Sequence, residues 1–269
     1  MIAFSNCKIN IGLYITEKRA DGYHNLETVF LPLPLFDVIE LMEEKATTIS
    51  VLGNLVPGNT EDNIVLKAWY LLKKDIPALP PVHFWLLKNI PVGAGLGAGS
   101  ANGAYALIAL NNKLHLNLST EQLSSYALQL GSDCPFFIKN KPCFASGRGE
   151  LLEEISPDLS GYKIVIVNPG IHVSTPLAFS QVRPQPAPVN LKEAISRPVA
   201  EWKNIITNDF EAPVIKLHPE IGAIKQSLYD AGADFALMSG SGSTVYGLFK
   251  QNINPELNSS NYFTKTISF

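Results

Sequence analysis

Residues 91–110 read PVGAGLGAGSANGAYALIAL, with four glycines at alternate positions running into an alanine-rich stretch of helical spacing. Glycine lets a backbone adopt positive φ and come close to a ligand, and a helix start presents unpaired N–H groups at the positive end of the helix dipole. Together they predict an anion site, most often one for phosphate. A Walker A loop would need G-x-x-x-x-G-K-[ST], but Ser100 follows Gly99, so the lysine that neutralises phosphate charge is missing. Gly93, Gly95 and Ala98 fit a loose G-x-G-x-x-[GA] dinucleotide pattern after a strand at 82–87. Pro91 breaks that geometry, and residues 117–121 (NLSTE) read as a helix cap where the dinucleotide pattern wants a strand ending in an acid. If phosphate binds here, its countercharge comes from elsewhere in the chain.

The surrounding composition narrows the class. The chain has 269 residues, 46% apolar and 17% charged, enough for one large domain or two smaller ones with real cores. A net charge of -3 without basic runs gives no footprint for nucleic acid or a membrane surface. Three cysteines (Cys7, Cys134, Cys143) without CxxC spacing fit a reducing compartment, and the five histidines form no HExxH cluster. MIAFSNCKIN has no signal-like apolar region and no 18-residue apolar run occurs, so a cytoplasmic location is expected.

Residues 3–15 alternate, with Cys7, Ile9, Ile11, Leu13 and Ile15 on one face and Lys8, Asn10, Gly12 and Tyr14 on the other, which predicts a half-buried strand. Asp21-Gly22 marks a turn, and 26–41 is rich in β-formers, its middle placed at an edge or bulge by Pro32 and Pro34. An amphipathic helix is predicted at 63–74, and a helix from the S-x-x-Q capping box of Ser119 and Gln122 to Gly131. PFFIKNKPCFASGRGELLEEI reads as strands and turns, 162–167 as a strand, and the proline-rich 181–190 as an extended surface loop. Helices at 191–196, 202–216 and 221–231 precede strands at 234–238 and 244–249 that flank the loop SGSGS. The pattern is α+β, with a domain boundary near 156–161.

Individual residues leave alternatives open. Lys8 at mid-strand either snorkels to solvent or meets an anion. Asp133, in GSDCPFF, is a turn-former or an ionised functional group. Tyr23 and His24 either pack or stack on a base, and SGSGS is a plain hairpin loop or a second glycine element over a ligand.

In combination these segments resemble a family. CKINIGLYITEKRADGYHNLETVF is similar to the N-terminal motif of the kinase superfamily that includes galactokinase, homoserine kinase, mevalonate kinase and phosphomevalonate kinase. PVGAGLGAGSANGA resembles its second, ATP-binding motif and LMSGSGSTVYGLF its third, all in family order over residues 3 to 249. K-I-N-x-G-L with R-x-D-G-Y-H resembles, within that superfamily, the 4-diphosphocytidyl-2-C-methyl-D-erythritol kinases. The resemblance implies an α+β, two-domain small-molecule kinase fold, with an N-terminal domain (1–156) containing a left-handed βαβ crossover and a ferredoxin-like C-terminal domain (157–269). It implies transfer of phosphate from ATP, with Mg²⁺, to the 2-hydroxyl of the family's substrate, a small molecule bearing a cytidine diphosphate group. No nucleic-acid or membrane partner is implied, and a monomer or weak homodimer is expected.

The implied catalytic pair is Lys8 and Asp133. Asn10, Tyr23, His24, Arg148 and Phe179 fall where the family holds the acceptor substrate. Asn63 and the run Pro91, Val92, Gly93, Ala94, Gly95, Leu96, Gly97, Ala98, Gly99, Ser100 and Ala101 fall at the nucleotide, with Ser100 the implied metal contact. The chain departs from the family's G-G-G-S-S at Ala98 and Ala101, and has Gly103 where alanine is usual. A methyl group at position 98 requires negative φ, and position 101 lacks a hydroxyl for phosphate or metal. The alternatives are another kinase of the superfamily, such as homoserine or mevalonate kinase, and a non-catalytic nucleotide-binding regulator.

Overall fold

The computed structural model describes residues 1–256 and 261–268; residues 257–260 and 269, within the expected C-terminal domain, lie outside the described residues. Two compact units emerge, each built from separated pieces: Met1–Cys7, Pro32–Val92 and Gly97–Lys141 in the first, and Lys8–Leu31, Gly93–Leu96 and Pro142–Phe269 in the second. Packing thus groups residues by space, where the division at 156/157 groups them by chain order. Strands β1 (Ile2–Lys18) and β2 (His24–Glu43) each run from one unit into the other.

In the first unit, β3 (Thr48–Gly53) leads through α1 (Ile64–Asp75) to β4 (Val82–Lys88), and β3 and β4 pair in parallel as a βαβ unit. Residues 38–43 of β2 pair antiparallel with β4. Helix α1 buries Val65, Leu66, Ala68, Trp69 and Leu72, spaced to form one stripe. It packs on α2 (Ala98–Lys113), which packs in turn on α3 (Thr120–Leu130) and α4 (Cys134–Lys139). Small residues on α2 let the helices approach: Ala101, Ala104, Ala106 and Ala109 are fully buried. A Cβ on Gly103 would lie 2.8 Å from the Ile64 side chain, so glycine in place of the family's alanine is a packing choice between α1 and α2. The capping box forms as read, Ser119 Oγ accepting from Gln122 N and Gln122 Oε1 from Ser119 N.

Helix α4 corrects the expectation of strand and turn after Asp133. Pro135 suits a first helical turn, and Phe136 and Phe137, strand-formers by propensity, are buried against α2 and α3.

The second unit pairs residues 28–30 of β2 with β5 (Cys143–Ser146), and β5 with β6 (Leu151–Glu154), both antiparallel. The β2 pairings with β4 and β5 leave Pro32 and Pro34 between them, where no donor to either strand is lost. Strand β7 (Tyr162–Asn168) is followed by α5 (Thr175–Gln181), α6 (Leu191–Ala194), α7 (Val199–Trp202), α8 (Glu211–Leu217) and α9 (Pro219–Asp230), then β8 (Phe235–Met238), β9 (Val245–Lys250) and β10 (Phe263–Ser268). The sheet order β10-β7-β9-β8, antiparallel throughout, is the ferredoxin-like order. Helix α9 covers it through Ile221, Ile224 and Leu228. Among the described residues no helix joins β9 to β10.

Two expectations are corrected here. The helix read at 202–216 breaks, because Leu13 N donates to Thr207 O (3.0 Å) and Asp209 N to Leu13 O (2.9 Å). Asn208 Nδ2 also reaches Met238 O (2.7 Å) and Gly240 O (2.8 Å), so tertiary pairing claims these residues in extended form. Strand β1 is not half-buried: both of its faces are buried from Ser5 to Ile15. No helix among the described residues is long and apolar enough to cross a membrane.

Candidate active site

The polar face of β1 is where the sequence places a lysine, and in the second unit that lysine is 4% exposed. Snorkelling is therefore excluded. A buried ammonium needs partners. Lys8 Nζ donates to Asn10 Oδ1 at 2.6 Å and lies 4.4 Å from the centre of the Phe30 ring. Asn10 is itself fully engaged: its Nδ2 donates to Thr28 Oγ1 (2.9 Å), its N–H to Ser239 Oγ (3.1 Å), and its carbonyl accepts from Tyr246 OH (2.9 Å). Thr28 Oγ1 donates to Gly12 O (2.5 Å). Gly12 is required, with φ of 72° and Leu191 2.6 Å from where a Cβ would stand. Asn10, expected at the acceptor substrate, is hydrogen-bonded to Lys8 and lies beside it on β1.

The glycine loop enters this unit through residues 93–96. Gly93 and Gly95 have φ of 67° and 75°, while Ala94 and Leu96, one after each, are buried in the core at 4% and 1% exposure. Three donors take the loop carbonyls: Thr244 N donates to Ala94 O (3.2 Å), Ser239 Oγ to Gly95 O (2.8 Å), and Lys8 N to Leu96 O (3.0 Å). A Cβ on Gly95 would collide with the Ser239 carbonyl. SGSGS is thus the second glycine element, seated on the first. Among the described residues, no backbone or side-chain acceptor takes the N–H groups of 93–96.

The remaining expected substrate residues meet in two pairs of the same unit, one a cation on a ring and the other two stacked rings. The Arg148 guanidinium lies 4.8 Å from the centre of the Tyr23 ring, and Tyr23 is 54% exposed. His24 stacks on Phe179 at 5.0 Å and 24°, and Phe179 meets Phe210 edge-on at 4.8 Å. The turn below is held by Asp21, which accepts from Tyr23 N (3.1 Å) and pairs with Arg19 (3.1 Å). The Tyr23 N–H, with the Arg19 guanidinium, keeps the Asp21 carboxyl below the usual carboxylate range.

The first unit holds the other expected positions. Pro91 and the exposed Val92 enter the loop. Gly97, with φ of 66°, is the N-cap of α2. Ala98 opens the helix at negative φ, so its methyl group is accommodated as required. A Cβ on Gly99 would meet nothing within 4 Å, leaving open space over the first turn. Ala101 is fully buried, and its N–H donates to Gly97 O (2.9 Å), so a hydroxyl there would face the helix packing. The N–H groups of Ala98, Gly99 and Ser100 precede the first helical bond. Asn63 caps α1, its Oδ1 accepting from Val65 N at 3.0 Å.

Asp133 sits at the N-cap of α4 without using its carboxylate to cap that helix. Its neighbour Cys134 is fully buried, and α4 packs on α2, the helix whose first turn carries Ser100. Burial first, then the Asp133 charge, pushes the Cys134 thiol up to about 12, so it stays protonated and is no nucleophile. Sequence reasoning missed Thr28, Ser239 and Tyr246, the residues that hold Asn10 and the loop. Thr28 and Tyr246 read as ordinary strand-formers, and only the serine of SGSGS carried a signal.

The model of the GHMP kinase N-terminal domain matches residues 63–141, and that of the GHMP kinase C-terminal domain matches 190–257. A 4-diphosphocytidyl-2-C-methyl-D-erythritol kinase of Bacteroides fragilis is 51% identical over 253 residues, covering 93% of this chain and 92% of the relative. The chain belongs to the 4-diphosphocytidyl-2-C-methyl-D-erythritol kinase family. A member from Bacteroides thetaiotaomicron is likewise 51% identical over 254 residues, 93% of this chain and 92% of its own. A crystal structure of a 4-(cytidine 5'-diphospho)-2C-methyl-D-erythritol kinase superposes with a TM-score of 0.76 at 31% identity, covering 92% of this chain and 90% of that one. Homoserine kinase from Cytophaga hutchinsonii, at 15% identity and a TM-score of 0.63 over 98% of this chain and 95% of its own, shares the fold.

Proposed function

We propose that this kinase transfers the γ-phosphoryl group of ATP to the 2-hydroxyl of 4-diphosphocytidyl-2-C-methyl-D-erythritol, releasing ADP and the 2-phosphate. The observation that carries the reading is the glycine loop. Its carbonyls at 94, 95 and 96 are taken by Thr244 N, Ser239 Oγ and Lys8 N, while its N–H groups keep no protein acceptor among the described residues. That is an anion cradle made of backbone, continued by the first turn of α2.

Phosphoryl transfer asks for in-line positioning and charge stabilisation more than covalent help. The loop and the start of α2 hold the nucleotide phosphates. Asp133 orients the acceptor hydroxyl and takes its proton as transfer proceeds, and Lys8, held by Asn10, steadies developing negative charge. Tyr23, His24, Arg148 and Phe179 supply aromatic faces and a guanidinium suited to a base and its diphosphate. Ser100 offers a hard oxygen on the first turn of α2, which fits Mg²⁺ carried by the nucleotide and otherwise held by waters. That ion would neutralise phosphate charge.

Steady-state ATP consumption by purified protein tests the reading. ATP should be turned over when the diphosphocytidyl acceptor is added and not with homoserine or mevalonate, and equal kcat/KM for either of these would overturn the assignment. Asp133→Asn should lose at least about 10²-fold in kcat while binding ATP as before.

A further inference from the structure

Four polar side chains, all nearly or fully buried and none of them among the residues assigned above, lie in the first unit: Ser5 and Asp37 at 0% exposure, Asn102 at 2% and Lys88 at 3%. Lys88 Nζ pairs with Asp37 Oδ2 and donates to Asn102 Oδ1 at 2.9 Å. Asn102 Nδ2 donates to Asp37 Oδ2 (3.1 Å) and to Ser5 Oγ (3.0 Å). The other carboxylate oxygen, Asp37 Oδ1, accepts from two successive backbone N–H groups, Asn89 (2.9 Å) and Ile90 (3.0 Å).

Stability alone does not account for such a cluster. A buried ion pair often adds nothing over an apolar replacement of similar volume, because desolvation offsets the attraction. What the cluster contributes is position. Asn89 and Ile90 immediately precede the glycine loop that begins at Pro91, and Asn102 is the fifth residue of the helix that ends it. Asp37 therefore ties both ends of the loop to one point on β2, and Ser5 ties that point to β1, three residues before Lys8. A loop whose function is to present N–H groups gains from fixed ends, since a misplacement of about 1 Å can cost two orders of magnitude in rate.

We propose that Asp37, Lys88 and Asn102 are positioning residues for nucleotide binding, setting the span and orientation of the phosphate loop without touching ATP. The inference rests on the reading of that loop as the ATP site.

The test compares two double variants that both remove the buried charge pair. Asp37→Asn/Lys88→Met keeps a side-chain oxygen for Asn89 and Ile90 N–H, and Asp37→Leu/Lys88→Met does not. Calorimetric titration with ATP and steady-state kinetics are run on both and on the native enzyme, at a temperature where melting curves show all three folded. The leucine variant should bind ATP about tenfold more weakly and show a KM for ATP raised to match, with KM for the acceptor unchanged, while the asparagine variant stays within about threefold of native. Native-like ATP affinity in the leucine variant, or equal losses in both, would overturn the positioning role even where Tm falls. Failure of the native protein to bind ATP would instead sink the reading of the loop itself. If the leucine variant does not fold, Asn102→Ala replaces it: selective loss of ATP affinity supports the proposal, and loss of Tm alone overturns it.

Discussion

Tyr23 is held in place by a turn and left open on one side. Asp21 fixes its backbone, Arg148 lies against its ring, and more than half of the residue is exposed. Stacking of a base on an aromatic ring is worth about 1–3 kcal/mol, so Tyr23→Ala should raise KM for the diphosphocytidyl substrate roughly 5- to 150-fold. KM for ATP should hardly move, and Tyr23→Phe should keep the affinity; equal effects on both substrates would make Tyr23 a packing residue. A second residue carries a pH signature. Burial pushes the Asp209 carboxyl above its ordinary range, against the lowering pull of the Ile15 N–H that it accepts at 2.7 Å. The unfolded chain ionises this group more readily than the folded one, so its burial costs stability above the folded pKa and costs nothing below the unfolded value of 3.8. Asp209→Asn keeps an acceptor for Ile15 and should raise Tm at neutral pH, with the gain disappearing in acid. A gain independent of pH would show that charge burial is not its cause.

The glycine loop was legible at once because its signal is local. Alternate glycines need positive φ, and the structure puts 93, 95 and 97 there. Gly95→Val should weaken ATP binding by at least about tenfold, both through φ and through collision with the Ser239 carbonyl; unchanged affinity in titration would place the phosphates elsewhere. The capping box of α3 was legible for the same reason, as two side chains and two backbone groups settle it within four residues. Elements decided by distant contacts were not. Phe136 and Phe137 went to a helix because α2 and α3 cover them, and 207–209 left helical form to pair beside β1. The half-buried reading of β1 left Lys8 open between solvent and an anion, because Asn10, Thr28 and the 239–244 segment supply the polar partners on this strand from positions no local pattern reveals. Strands β3 and β10 passed unread.

For the whole molecule, three motifs in order carry most of the expected residues, Asn63, Asp133, Arg148 and Phe179 lie outside them, and the grouping of these residues into units was not legible. The structure joins residues 8–31 and 93–96 to the C-terminal half of the chain, because β1 and the 239–244 segment hold the loop carbonyls. Lys8 and the loop are therefore organised by one unit, and Asp133, Ser100 and the start of α2 by the other. Of the buried Asp37–Lys88–Asn102 cluster only Asn102 belongs to a motif, and an acid within an apolar strand is the other mark of it in the sequence. The proposed function is phosphorylation of one particular hydroxyl. Proton-coupled ³¹P spectra of the reaction product read this directly, because the 2-carbon bears a methyl group and no hydrogen. Phosphorylation there should give a new phosphomonoester resonance without splitting by a carbon-bound proton, formed together with ADP. A resonance split by carbon-bound protons would place the phosphate on another hydroxyl, and no new phosphomonoester would contradict the claim outright.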